Sequence, residues 1–82
     1  SNQPEVKKTI EISPEGRLEL DGQEMSLSHL ERALVQAHQA NTNTVIYIRV
    51  DENGRNKHLY DVIDVCQRND LTKFSLRTRP QR

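Results

Sequence analysis

A single cysteine, Cys66, excludes an internal disulfide from this chain. Trp is absent, and two Tyr and one Phe are the only aromatics. The core is therefore small, since a chain of this length buries roughly 60–65% of its unfolded surface. Net charge is missing as well: 12 basic side chains cancel 12 acidic ones. A nucleic-acid binder usually carries a basic excess, so that class is disfavoured. Three glycines provide no phosphate-cradling loop, and no Ser stands between the glycines of a nucleophile elbow. No apolar run reaches the roughly 20 residues of a membrane span, and no signal peptide opens the chain. The start, Ser1-Asn2-Gln3-Pro4, has no initiator Met and reads as the beginning of an excised domain. Residues 1–5 read as a loose, tag-derived lead, and residues 79–82 as a tail.

What is present is centred on Thr44-Val45-Ile46-Tyr47-Ile48-Arg49-Val50-Asp51, the densest β-branched and aromatic run. Its apolar residues fall on both parities, which predicts an interior strand covered on both faces. Before it, Val6, Ile10 and Ile12 share a parity and predict a half-buried strand. Ser13-Pro14-Glu15-Gly16 predicts a turn, and Leu18 and Leu20 a short second strand of the same hairpin. Asp21-Gly22 predicts another turn.

Ser26 is a good N-cap, and Met25 and Leu30 occupy the positions of a hydrophobic staple. A start at Ser28, boxed by Glu31, is the alternative. Leu27, Leu30, Leu34 and Ala37, with Ala33 beside them, form one apolar stripe at helical spacing. The polar stretch 52–58 predicts a loop. Leu59, Val62, Ile63 and Cys66 then predict a second helix, stopped at Asn69-Asp70. Lys73 to Thr78 predicts a last strand with Phe74 and Leu76 inward. The order β-β-α-β-α-β predicts a two-layer α+β domain, with the strand at Val45–Val50 parallel to the last one and two helices on one face of a small mixed sheet.

Chemistry is sparse. His29 and His38 are nine residues apart and about half a turn out of phase, so they share no metal, and His58 has no Cys pair near it in sequence. Asp51-Glu52-Asn53-Gly54 lacks the calcium-loop spacing and reads as an acidic turn. Asp61 and Asp64 read as a solvated helix face. Cys66 reads as a small buried hydrophobe rather than a nucleophile. No catalytic, cofactor-binding or metal-binding residue is assigned, and the chain reads as a non-enzyme. Lys73, Arg77, Arg79 and Arg82 make a basic end, read either as a solvated tail or as part of an edge strand that recruits a partner strand. The second reading makes Lys73, Phe74, Ser75, Leu76 and Arg77 the candidate partner-binding residues.

Several segments, in order, resemble the periplasmic domain of the ExbD/TolR family of biopolymer transport proteins. Ile10-Glu11-Ile12 with Glu15-Gly16-Arg17-Leu18-Glu19-Leu20-Asp21-Gly22 resembles its opening hairpin. Met25-Ser26 with Leu30 and Leu34 resembles its capped first helix. Val45 to Asp51 resembles its hydrophobic strand ending on an acidic residue. Leu59 with Val62-Ile63-Asp64-Val65-Cys66 resembles its second helix, and Phe74 to Thr78 its last strand. The likeness covers residues 6–78. It departs at Leu59, where the family often has Tyr, at Asn69-Asp70, near which the family has Gly, and in a longer loop from Glu52 to His58. The resemblance implies a non-enzymatic periplasmic domain without cofactors. It also implies a membrane helix outside these residues that bears a proton-carrying Asp within an ExbB- or TolQ-like channel subunit. Proton-motive force would pass to a TonB- or TolA-like protein, and the domain would be a homodimer. The alternative class is a ring-building, secretion-type interaction module.

Overall fold

Alternation decides the strands and the helical stripe decides the helices. The computed structural model describes residues 4–79; the expected loose lead lies partly outside them at 1–3, and most of the expected tail at 80–82. The elements are β1 (Val6–Ile12), β2 (Leu18–Leu20), β3 (Gln23–Met25), α1 (Leu27–Ala40), β4 (Thr44–Asp51), α2 (Asn56–Arg68) and β5 (Phe74–Arg79). Five strands form one mixed sheet in the order β3-β2-β1-β4-β5. β4 runs parallel to both β1 and β5, while β2 is antiparallel to β1 and to β3. The expected α+β architecture is the observed one.

Ile10, Ile12, Leu18, Leu20, Ile46, Ile48 and Val50 enter one core with Leu30 and Leu34 of α1 and Val62, Val65 and Cys66 of α2. All the strand members project from one face, so both helices cover that face. Here the expectation for β4 is corrected. Thr44, Ile46, Ile48 and Val50 are buried, but Val45 and Tyr47 are only half-buried and Arg49 is exposed. Among the described residues, no helix lies over the second face. Tyr47 is shielded instead by its neighbour Lys7, whose ammonium sits 5.3 Å from the ring centroid. Thr44, the one buried polar residue described, donates its hydroxyl to the Asn41 carbonyl at 2.6 Å.

β3 is an element the sequence reading missed. Asp21 and Gly22 have φ of 52° and 88°, and Leu20 pairs with Gln23 across them. Positive φ at both central residues is the mirror-image turn that joins hairpin strands. At the preceding turn, Gly16 adopts φ 90°, its N–H bonding to Ser13 O at 2.9 Å. The cap of α1 is Ser26, not Ser28: Ser26 Oγ accepts from His29 N at 3.2 Å. α2 begins at Asn56, so residues 56–58 are helical where a loop was expected. Its N-cap, Arg55, makes no side-chain cap bond, which left no sequence signal.

α2 ends in a two-bond cap: Leu71 N bonds to Cys66 O at 2.8 Å and Asp70 N to Gln67 O at 3.2 Å. Asp70 takes φ 57°, the left-handed conformation that Asp tolerates better than most non-Gly residues. The missing Gly of the family pattern is thus replaced by a short polar residue. Leu71 is buried beside the cap.

Candidate partner-docking edge

β5 closes one side of the sheet and β3 the other. β3 has three residues, the short form that blunts an edge. β5 has six, one residue further at its end than read from sequence. Lys73, just before it, accepts from Ile46 N at 2.9 Å through its carbonyl. Backbone direction alternates along a strand, so Ser75 and Arg77 also face β4, while the N–H and C=O groups of Leu76 and Thr78 point out of the sheet. These groups are the template onto which an extended segment can add.

The side chains of the five predicted site residues divide three ways. Phe74 packs half-buried against the core, so it anchors the strand and offers little surface. Leu76 lies on the same face but is 48% exposed. It was expected inward; the helices stop short of the edge strand and leave it uncovered. Ser75 and Arg77 lie on the opposite, bare face, in register with Tyr47 and Arg49. Lys73 Nζ donates to Asn43 Oδ1 at 3.1 Å, which ties the start of the strand to the turn just before β4. The structure therefore brings the predicted residues to one edge without gathering them into one pocket.

Several of the other titratable groups make contacts within the fold. Among the described residues, no three His, Cys, Asp or Glu side chains converge as a metal site. Asp61 pairs with Lys57 at 3.1 Å and Asp64 with Arg68 at 2.9 Å on helix surfaces. Asp51 closes the acidic turn, its carboxylate accepting from Asn53 N at 2.9 Å. Cys66 is fully buried, and burial pushes its thiol up to about 11. Sequence reasoning missed the clamp between the helices: Arg68 donates to both Glu31 oxygens at 2.6 and 2.8 Å, and the Asn69 amide adds a bond at 2.7 Å. The Arg68 guanidinium and the Asn69 amide hold the Glu31 carboxyl down at about 2, and Glu31 raises the Arg68 pKa in turn. These partners stand 37 and 38 positions apart, so no local spacing announces them.

No helix among the described residues is long and apolar enough to cross a membrane. No curated protein matches the chain. Residues 1–81 match the family described as biopolymer transport protein ExbD/TolR. With a match over that span and the fold expected of it, the chain belongs to the ExbD/TolR family of transport accessory proteins, which are not enzymes.

Proposed function

We propose that this domain is the periplasmic part of an inner-membrane accessory protein that couples proton-motive force to transport across the envelope. Its partners are an ExbB- or TolQ-like channel subunit, reached through a membrane-spanning segment outside these residues, and a TonB- or TolA-like protein in the periplasm. It works as a homodimer. Residues Lys73 to Arg77 dock the periplasmic partner by strand addition along β5. The family match supports the transport role, and one observation carries the docking site: the six-residue edge strand with outward backbone groups and a half-exposed Leu76.

The test uses the full-length protein in cells, with a photocrosslinking residue at position 75. A crosslink to the TonB- or TolA-like protein is expected, and Leu76→Asp is expected to abolish it while leaving the isolated domain's melting temperature within about 2 °C, as for an exposed site. A crosslink of unchanged yield in that variant overturns the assignment of the edge.

A further inference from the structure

Among the described residues, two large apolar side chains stay exposed, Tyr60 at 63% and Leu76 at 48%. Helix geometry brings them to the same margin. At about 100° per residue, Ile63, Gln67 and Tyr60 fall within about 60° of one another on α2. Arg68, which holds Glu31 of α1, lies on the other side of the buried stripe. The flank with Ile63 and Tyr60 therefore turns away from α1. α1 packs toward β2, and β5 is at the far side of the sheet, so this flank looks toward the β5 edge. α2 joins two parallel strands and so runs opposite to them. From Arg68 back to Ile63 is about 8 Å of helix, and from Phe74 on to Leu76 about 7 Å of strand. Ile63 thus stands level with Leu76, and Tyr60, one turn further, level with Thr78. On the bare face, Arg77 lies in register beside Arg49. Arg49 has Glu11 at 3.9 Å, whereas Arg77 makes no ion pair among the described residues. Like charges side by side on a sheet repel, and a carboxylate beside Arg77 relieves that cost.

We propose that Tyr60 and Ile63 of α2, with Leu76, form an apolar shelf that selects the segment added to β5. The occupant is an extended segment of a different protein, apolar at alternate positions with an acidic residue between them. This inference rests on the strand-addition reading and names the chemistry that the edge accepts. Residues paired across two strands point to the same face. Those opposite Phe74, Leu76 and Thr78 therefore point to the helix side, where Leu76, Ile63 and Tyr60 offer apolar surface. Those opposite Ser75 and Arg77 point to the bare face. There an acidic side chain opposite Arg77 meets its guanidinium, with that of Arg49 one strand further in. A slip of one residue sends the carboxylate to the shelf and the apolar side chains to the bare face. The shelf and the arginines thus fix register together with composition. Backbone bonds along β5 supply affinity, and the two sets of side chains supply the choice of partner.

The test titrates the 82-residue chain with three peptides of about nine residues, a common strand length. One alternates Val with Asp, one alternates Val with Lys, and one has the Val and Asp residues of the first gathered into two blocks. Hydrogen exchange at the N–H groups of Leu76 and Thr78, followed by NMR, reports strand addition whatever the side chains. The Val/Asp peptide is expected to slow that exchange, and the other two to bind about tenfold or more weakly. Tyr60→Ser is expected to weaken the Val/Asp peptide several-fold, and Tyr60→Phe to bind it as the wild type does. Arg77→Glu is expected to move the preference to the Val/Lys peptide. Tyr60 and Arg77 are exposed, and circular dichroism checks that each variant folds. Equal protection by all three peptides, or unchanged binding in Tyr60→Ser, overturns the shelf and leaves strand addition standing. No protection by any peptide overturns strand addition on β5, and the shelf falls with it.

Discussion

The two faces of the sheet are built from the same strands and obey different rules. On one, Ile10, Ile46 and Ile48 disappear under two helices. On the other, adjacent positions carry Thr9, Tyr47 and Arg49, open or half-open to water. A shift of one residue along β4 moves a side chain from a place where volume decides stability to one that water reaches. The sharpest test is a pair of neighbours. Ile48→Ala removes a fully buried side chain and is expected to cost about 3 kcal/mol in urea unfolding. Tyr47→Ala removes a half-buried ring and its contact with Lys7, and is expected to cost about 1 kcal/mol. Equal losses would mean that the second face is as closed as the first.

The next effect belongs to the place where the covered side meets the opening hairpin. A Cβ on Gly16 would come within 2.5 Å of Cε1 of His58, at a backbone φ of 90°. Gly16→Ala is therefore expected to lose about 2 kcal/mol, part from the left-handed backbone and part from the displaced ring. His58→Ala in the same chain removes only the second part. The double variant is expected to be more stable than the sum of the two single losses predicts, and simple additivity would show that the ring moves aside freely.

Much of this division was legible in the sequence, and its failures share a cause. Val6, Ile10, Ile12, Leu18 and Leu20 alternate cleanly, and Ser26 with Met25 and Leu30 marks the start of α1. Local patterns of that kind survive folding because nothing nonlocal competes with them. β4 was read as covered twice because Val45 and Tyr47 are apolar, but apolar residues beside Lys7 on an open sheet face need no helix above them. β3 has only three residues and no alternating apolar pattern; the Asp21-Gly22 pair, a strong hairpin signal, was the available clue. The edge position of β5 follows from sheet order, and the exposure of Leu76 follows from where the helices end. The Glu31–Arg68–Asn69 clamp depends on two helix faces meeting, which a linear sequence does not display.

That clamp gives the covered side its acid sensitivity. Glu31 titrates near 2 in the fold against an ordinary 4.5. A carboxyl with a depressed pKa contributes stability that is fully present above about 4.5 and is lost as pH falls toward about 2. Wild type is expected to melt above Glu31→Gln at pH 7, with the gap closing through that acid window. A gap that stays constant from pH 7 to pH 2 would assign the role of Glu31 to packing instead of charge.

The smallest effect is expected at the Glu11–Arg49 pair on the bare face, and its smallness is informative. Glu11 and Arg49 approach only to 3.9 Å, and both side chains keep a third or more of their surface in water (34% and 47%). Water and salt screen such a pair, and two long side chains must be ordered to hold it, so its coupling within one chain is expected to be below about 0.5 kcal/mol. A double-mutant cycle with Glu11→Gln and Arg49→Gln measures it. Added salt should erase it, whereas the loss from Ile48→Ala should persist. A coupling above about 1 kcal/mol would mean that water reaches this pair less freely than its exposure implies, and that the second face is more closed than the first comparison has it.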